Sequence, residues 1–372
     1  MIKYLDESEK TLCRPLWEEA FPDDTAEFLD YYFGRKVKDS RVLAAVDEPD
    51  GRVLSMTHRN PYTLTVGGLR WDVDYLVACA TAMDLRGQGY NRELVNRLFA
   101  DLYREGAPVT FLMPAIPERY RAVGFAYVSE RRGWRLRDEM EVTGRKVEIC
   151  GDTAEAIAAW MNRFLDAHYG IHTLRDRAYV ENLLAELFSG GGWMEWLTRE
   201  ASEECRPVGL RAIWGRKRPS VRLLYCEDDR LLEECAAMDQ VAVAPAMMAR
   251  VICVREFVKC AGLSEDCPAP RMEVPLVVRD RQIPQNSGLY RWSLWADGSV
   301  LEPFGGLAPD SGTQASSGDC LVSTEALTLT AEQLVAWLWG FRTLEELEPQ
   351  EGIPYWCDYV RTVRGVFLDE VV

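Results

Sequence analysis

The stretch Asp84-Leu85-Arg86-Gly87-Gln88-Gly89-Tyr90-Asn91-Arg92 sets two glycines and two arginines between a strand-like and a helix-like segment. Glycines at such a junction let the backbone approach an anion, and the unpaired amides and dipole of the first helical turn then bind it. A phosphate-bearing ligand is the expectation. Two common phosphate loops are excluded by residue identity. A P-loop needs a lysine followed by serine or threonine after its second glycine, and none follows here. A dinucleotide fingerprint needs glycine or alanine three residues after Gly89, where Arg92 stands.

The elements that must hold this loop are legible from periodicity. Residues 71–83 read as a buried strand entering the loop. Beyond it, residues 90–104 place Leu94, Leu98 and Leu102 four apart with Val95 and Phe99 alongside, one face of a helix that Gly106 ends. Residues 41–48 and 51–59 read as two strands about the turn Pro49-Asp50-Gly51. Residues 108–115 form an apolar strand, and 118–137 a short helix, a turn at Gly124 and a last pair of strands. Further on, helices are predicted over 150–170, capped by Asp152 or Thr153, and over 176–192, stopped by three glycines. Strands are predicted over 206–215 and 221–227, and a helix over 244–262 between Pro245 and Gly262. The alternation of Tyr290, Trp292 and Leu294 predicts a half-solvated sheet, residues 305–320 a small-residue loop, and 328–347 a helix with Thr330 and Gln333 at capping-box spacing.

Composition narrows the partners. The 372 residues carry 43 Lys plus Arg against 59 Asp plus Glu, a net charge of −16, which repels nucleic-acid backbones and favours cationic small molecules. No apolar run is long enough to cross a bilayer, and the acidic N-terminus does not resemble a signal peptide, so a cytoplasmic protein that avoids membranes is expected. Eleven cysteines without a C-x-x-C pair and three histidines (His58, His168, His172) without ligand spacing argue for reduced thiols and no metal site. His58 reads either as a residue lining a cleft or as an exposed loop histidine. The tryptophans Trp292, Trp295, Trp337, Trp339 and Trp356 read as core filler ahead of a lipid pocket.

The remaining pattern, Arg86-x-x-Gly89 entering an amphipathic helix, resembles the acetyl-coenzyme A motif of the GNAT N-acetyltransferases. Residues 111–125, with Tyr120, Gly124 and Phe125, resemble that family's closing segment. Asn91 departs from the glycine or alanine of most members and, with Arg92, is similar to the enhanced-intracellular-survival-type (Eis) branch. The resemblance covers nearly the whole chain and is strongest in residues 70–128. It implies an α/β (α+β) architecture of tandem GNAT-fold domains plus a C-terminal sterol-carrier-like domain, divided as residues 1–142, 143–267 and 268–372.

The same resemblance implies an acyltransferase using acetyl-CoA and a small-molecule primary amine, such as an aminoglycoside, a polyamine or a lysine-like compound, in a homo-oligomer, commonly a hexamer. It carries cosubstrate contacts onto Cys79, Ala80 and Thr81, onto Arg86, Gly87, Gln88, Gly89, Tyr90, Asn91 and Arg92, and onto Ala115 and Ile116. It makes Tyr120 the general acid and the terminal carboxylate, at Val372, the general base. The ending Gly365-Val-Phe-Leu-Asp-Glu-Val-Val372 suits a tail that docks as a strand. A coenzyme A-binding scaffold without turnover and a lipid-carrier module are the rival readings.

Overall fold

The computed structural model describes residues 1–47, 51–136, 144–146, 151–198, 207–215, 219–227, 238–304, 315–317, 320–349 and 351–371. Alternating apolar residues in the first third of the chain build β1 (Ile2–Tyr4), β2 (Arg41–Val46), β3 (Val53–Val66), β4 (Leu69–Thr81), β5 (Val109–Leu112) and β6 (Ala126–Leu136). The helices α1 (Arg14–Ala20) and α2 (Ala26–Gly34) precede β2. After β4 come α3 (Tyr90–Glu105) and, after β5, the single-turn α4 (Pro117–Arg121). On α3 the predicted stripe is real: Leu94, Leu98, Phe99 and Leu102 are buried, and Gly106 closes the helix at φ 77°. The strands β2 and β3 pair as the expected hairpin; Glu48, Pro49 and Asp50 lie outside the described residues.

The middle of the chain adds β7 (Gly144–Lys146), α5 (Gly151–His168), β8 (Ile171–Thr173), α6 (Arg177–Ser189), β9 (Trp193–Leu197), β10 (Gly209–Trp214) and β11 (Ser220–Cys226). Ile157, Met161, Leu165 and Leu184 of the two helices pack on Leu210, Leu223 and Tyr225 of the small sheet β11-β10-β9-β7. The predicted stop of α6 before the three glycines holds, and Asp176 caps its start, accepting from the Tyr179 amide at 2.7 Å. By contrast, α5 begins at Gly151, ahead of the caps Asp152 and Thr153 expected for it.

Two expectations fail at the next segment. Residues 244–251 are no helix, and only the single turn Val254–Phe257 with the 3-10 turn after it is helical in the expected span: β12 (Met238–Val251) is a long strand that inserts between β5 and β6, giving the order β1-β2-β3-β4-β5-β12-β6. Nor is β6 followed by a local partner, since the strand it pairs with is β12, after residues 137–237. Alanine and methionine favour helix locally, but Met247, Met248, Ala249 and Val251 are at most 1% exposed, between strands on both sides, and tertiary packing overrides propensity. Pro245 is tolerated because there β12 has only β6 beside it, the pairing with β5 starting at Met248.

The C-terminal part forms β13 (Gly262–Leu263), β14 (Arg271–Arg279), β15 (Gly288–Trp295), β16 (Gly298–Pro303), β17 (Ala315–Ser317), β18 (Cys320–Val322) and β19 (Leu327–Thr330). Its sheet runs β16-β15-β14-β18-β17, with β19 parallel to β14. The helix Ala331–Leu338 carries the predicted Thr330–Gln333 capping box. Trp292, Trp337, Trp339 and Trp356 are buried as core, whereas Trp295 is 39% exposed. Most of the loop expected over 305–320 lies outside the described residues. Finally β20 (Val360–Arg361) pairs with β13, and β21 (Val366–Phe367) joins β8 in parallel, while β8 itself pairs with the end of β3. The chain's tail thereby docks as a strand at the N-terminal sheet. Mixed α/β layers with tandem sheets of this kind are the fold class expected from the sequence.

Candidate active site

The strands β4 and β5 run parallel but pair at a single position, Tyr75 opposite Phe111. Beyond it they diverge, because the far edge of β5 is held by β12 and the far edge of β4 by β3. The backbone of residues 76–81 therefore presents a strand edge inside the protein, which strands ordinarily leave only where something else pairs with it.

Within that edge β4 carries a bulge. Met56 pairs with Ala80 and His58 with Val77, so Ala78 and Cys79 stand opposite Thr57 alone, and Ala78 adopts φ 52°. A left-handed alanine costs about 1–2 kcal/mol, and bulges and strained residues of this kind re-aim backbone groups at functional sites. Nothing in "YLVACAT" announces it. Ala80 and Thr81 follow; the Ala80 carbonyl accepts from Ser55 Oγ at 2.8 Å, and the Thr81 carbonyl from Arg86 Nε at 3.4 Å.

The glycine loop then has the conformation its composition requires. Gly87 sits at φ 82° and Gly89 at φ 97°, and a Cβ on either would meet at nearest Arg92 Nη2, 3.9 Å from Gly89. The glycines are needed for backbone shape, then, and the space above them is open. The first bond within α3 runs from the Glu93 amide to the Gly89 carbonyl at 3.1 Å, so the amides of Tyr90, Asn91 and Arg92 point out of the helix end without an intrahelical partner. Arg86, Gln88, Asn91 and Arg92 are exposed around them. Arg52 braces the loop with a two-pronged ion pair to Asp84, at 2.8 and 3.1 Å. Ala115 and Ile116 are exposed in the bend between β5 and α4, on the far side of the strand divergence.

Tyr120, on α4, faces the Cys79 thiol, with Thr57 also beside the sulfur. The Cys79 sulfur and burial both push the phenol well above its usual pKa, and burial raises the thiol as well. Both groups are protonated at neutral pH, so Tyr120 can donate a proton. Gly124, the other motif glycine, works differently from Gly87 and Gly89. At φ 84° it lies under Arg250 of β12, whose Nε would stand 2.8 Å from a Cβ there. Arg250 donates to the Val123 carbonyl at 3.1 Å and pairs with buried Asp280 at 2.5 Å, fixing the exit of α4 against the rest of the molecule. Burial works against ionisation of Asp280, but Arg250 and neighbouring donors outweigh it and hold the carboxyl below its usual range.

The tail arrives at the same strand. The hydroxyl of Tyr75, buried and raised in pKa by that burial, donates to the Val371 carbonyl at 3.3 Å. Val371 packs against the cluster that contains Ala78 and Ala80. Val372 lies outside the described residues. His58 matches neither sequence expectation. It is 0% exposed within β3, hydrogen-bonded to the Tyr32 hydroxyl at 3.0 Å, and burial, with Lys10 nearby, lowers its pKa to about 3. Among the described residues no cluster of three metal-ligating side chains occurs, no helix is long and apolar enough to cross a membrane, and eight cysteines are free thiols.

Residues 1–128 match the family described as Acetyltransferase (GNAT) domain. The N-terminal part is a GNAT acetyltransferase domain. Acyl transfer is accordingly the chain's enzyme class, and a domain of this type implies acetyl-CoA as cosubstrate. Solved structures similar over nearly the whole chain agree on the fold. A conserved protein of unknown function from Enterococcus faecalis, described as a probable N-acyltransferase, aligns with TM-score 0.72 at 14% identity, covering 99% of both chains. A GCN5-related N-acetyltransferase from Kribbella flavida aligns with TM-score 0.71 at 15% identity, covering 100% of this chain and 98% of the other. Eis1 from Mycobacterium abscessus aligns with TM-score 0.64 at 13% identity, over 97% and 93%. No curated protein sequence matches significantly. The diverging strands, the bulge and the outward amides suit acetyl-CoA: an extended arm with hydrogen-bonding amides needs a strand edge, and a pyrophosphate needs a helix start.

Proposed function

We propose that the protein transfers acetyl from acetyl-CoA to a primary amine by direct attack, with Tyr120 as general acid and the terminal carboxylate of Val372 as general base. The backbone of Cys79, Ala80 and Thr81 would hold the arm and polarise the thioester carbonyl. Arg86 and the amides from Gly87 to Arg92 would take the pyrophosphate, and Ala115 and Ile116 would flank the other side. The amine nitrogen forms the new C–N bond, the C–S bond breaks, the carboxylate accepts the ammonium proton and Tyr120 protonates the departing thiolate. A free α-carboxyl has a pKa of about 3.5, so burial must raise it or a water must relay the proton.

The observation that carries the reading is the tail contact: Val371 is held by Tyr75 on the strand whose bulge carries Cys79, the thiol that Tyr120 faces. The acceptor we favour is a cationic amine, polyamine, aminoglycoside or lysine-like, in keeping with the net charge of −16. Acetyl-CoA thiol release measured across such a panel should show amine-dependent turnover. Deleting Val371 and Val372, or appending residues after Val372, should lower kcat about a hundredfold, the ordinary scale of a general base, while coenzyme A affinity holds. Full turnover in both variants removes the carboxylate from the mechanism, and coenzyme A binding without amine-dependent release in the unaltered protein favours a scaffold.

A further inference from the structure

The last turn of the chain buries more charge than a terminus ordinarily does. Asp369 is 7% exposed and Glu370 1%, whereas chain ends are usually polar and frayed. Both carboxylates meet one guanidinium, that of Arg175, itself 2% exposed: Nη2 pairs with Asp369 and Nη1 with Glu370. A second arginine on β11, Arg222, donates to the Asp369 carbonyl at 2.9 Å and pairs with Glu186 of α6 at 3.0 Å. The Tyr225 hydroxyl donates to the other Asp369 oxygen at 3.1 Å and accepts from Arg175 at 3.2 Å, and the Thr173 hydroxyl donates to Glu370.

Each ion in this cluster gave up several kcal/mol of hydration, which close pairing offsets without adding much net stability. The cluster's return is geometric. Side chains of Asp369 and Glu370 fixed from β8, the link after it and β11 leave the chain one course, and it delivers the Val371 carbonyl to Tyr75 of β4. The strand pairing of β21 with β8 fixes only Val366 and Phe367, so without the guanidinium the last residues would keep no ion pair, only the neutral hydrogen bonds from Tyr225, Thr173 and Tyr75, the Arg222 contact to the Asp369 carbonyl and the packing of Leu368 and Val371.

We propose that Arg175, backed by Arg222, is a positioning residue that clamps Asp369 and Glu370 and thereby aims the terminal carboxylate at the acetyl-transfer site. This rests on the reading of that carboxylate as the base, and the test separates the two ideas. Carboxypeptidase digestion followed by intact mass reads the tail directly, independent of turnover. In R175M, release of Val372 and Val371 should accelerate about tenfold or more as the local opening free energy falls. The kcat of amine-dependent thiol release should fall by a similar factor, with coenzyme A Kd changed by no more than about twofold. Arg175→Lys, which keeps one cation, should fall between.

If R175M does not fold, the triple variant R175M/D369N/E370Q, which leaves none of these charges buried without a partner, gives the same readouts. A tail as protected in a folded variant as in the unaltered protein overturns the clamp. A freed tail with undiminished turnover upholds the clamp and overturns the terminal carboxylate as base.

Discussion

The glycine loop at residues 84–92 and the tail at residues 366–371 both adjoin β4, the loop beyond its end at Thr81 and the tail at Tyr75, and are built on opposite plans. Everything the loop needs is local. Two glycines take positive φ, the next three residues open a helix, and the resulting amides and dipole follow from peptide geometry alone. The tail has almost no local structure: a two-residue strand, then four residues held by side chains from β4, β8, the link after β8, and β11. The loop is exposed and would be completed by its ligand, whereas the tail is buried and already satisfied by the protein. Local chemistry can make an anion site anywhere a strand turns into a helix. Bringing residues 366–371 to β4 takes the whole fold.

The comparison breaks most sharply at Tyr120, the general acid of the proposed mechanism. Tyr120→Phe should lower kcat about a hundredfold, the scale of a lost general acid, with coenzyme A affinity and thermal unfolding unchanged. Steady-state thiol release and a melting curve check this, and a wild-type rate removes Tyr120 as the acid.

A smaller effect is expected in the loop itself. Gly89→Val forces a β-branched residue to positive φ, a strain of about 1–2 kcal/mol. Because the loop can deform, the loss should appear as about a tenfold rise in acetyl-CoA KM with little change in kcat, opposite to the signature of tail variants. Equal loss of kcat at saturating acetyl-CoA would show that the loop also orients the thioester.

The smallest effect concerns the wall behind β4, where His58 neighbours Thr57. Its folded pKa of about 3 lies below the ordinary 6.5, so the unfolded chain binds the proton more readily. The stability from keeping His58 neutral is complete above about pH 6.5 and is lost as pH falls toward 3, at up to about 1.4 kcal/mol per pH unit. Urea melts between pH 7 and 5 should show this slope, and His58→Gln should flatten it. An unchanged slope would assign the acid sensitivity to other groups.

Much of the fold was legible before any coordinates. The stripe on α3, the β2–β3 hairpin, the stop of α6 before its glycines and the capping box at Thr330 each depend on residues within one turn or one hairpin of each other. Residues 244–251 were misread because their helix propensity was weighed without the neighbours that override it. His58 was misread because the burial that neutralises it comes from Trp17, Tyr32 and Phe33 on α1 and α2. The turn at Gly87 and Gly89 and the helix start at Tyr90 were legible from spacing. The bulge at Ala78 had no sequence signal, since a left-handed alanine looks like any other.

By itself, then, the sequence determined the glycine turn, the helix that follows it and the apolar faces of the long strands, because these depend on side-chain size, glycine and periodicity over a few residues. The tertiary structure alone decided that β12 would fill the sheet beside β5, that Arg250 would lie over Gly124, and that Arg175 would clamp a tail some two hundred residues further along the chain. Those contacts join segments between which the chain imposes no distance, so they exist only once packing has selected a single arrangement.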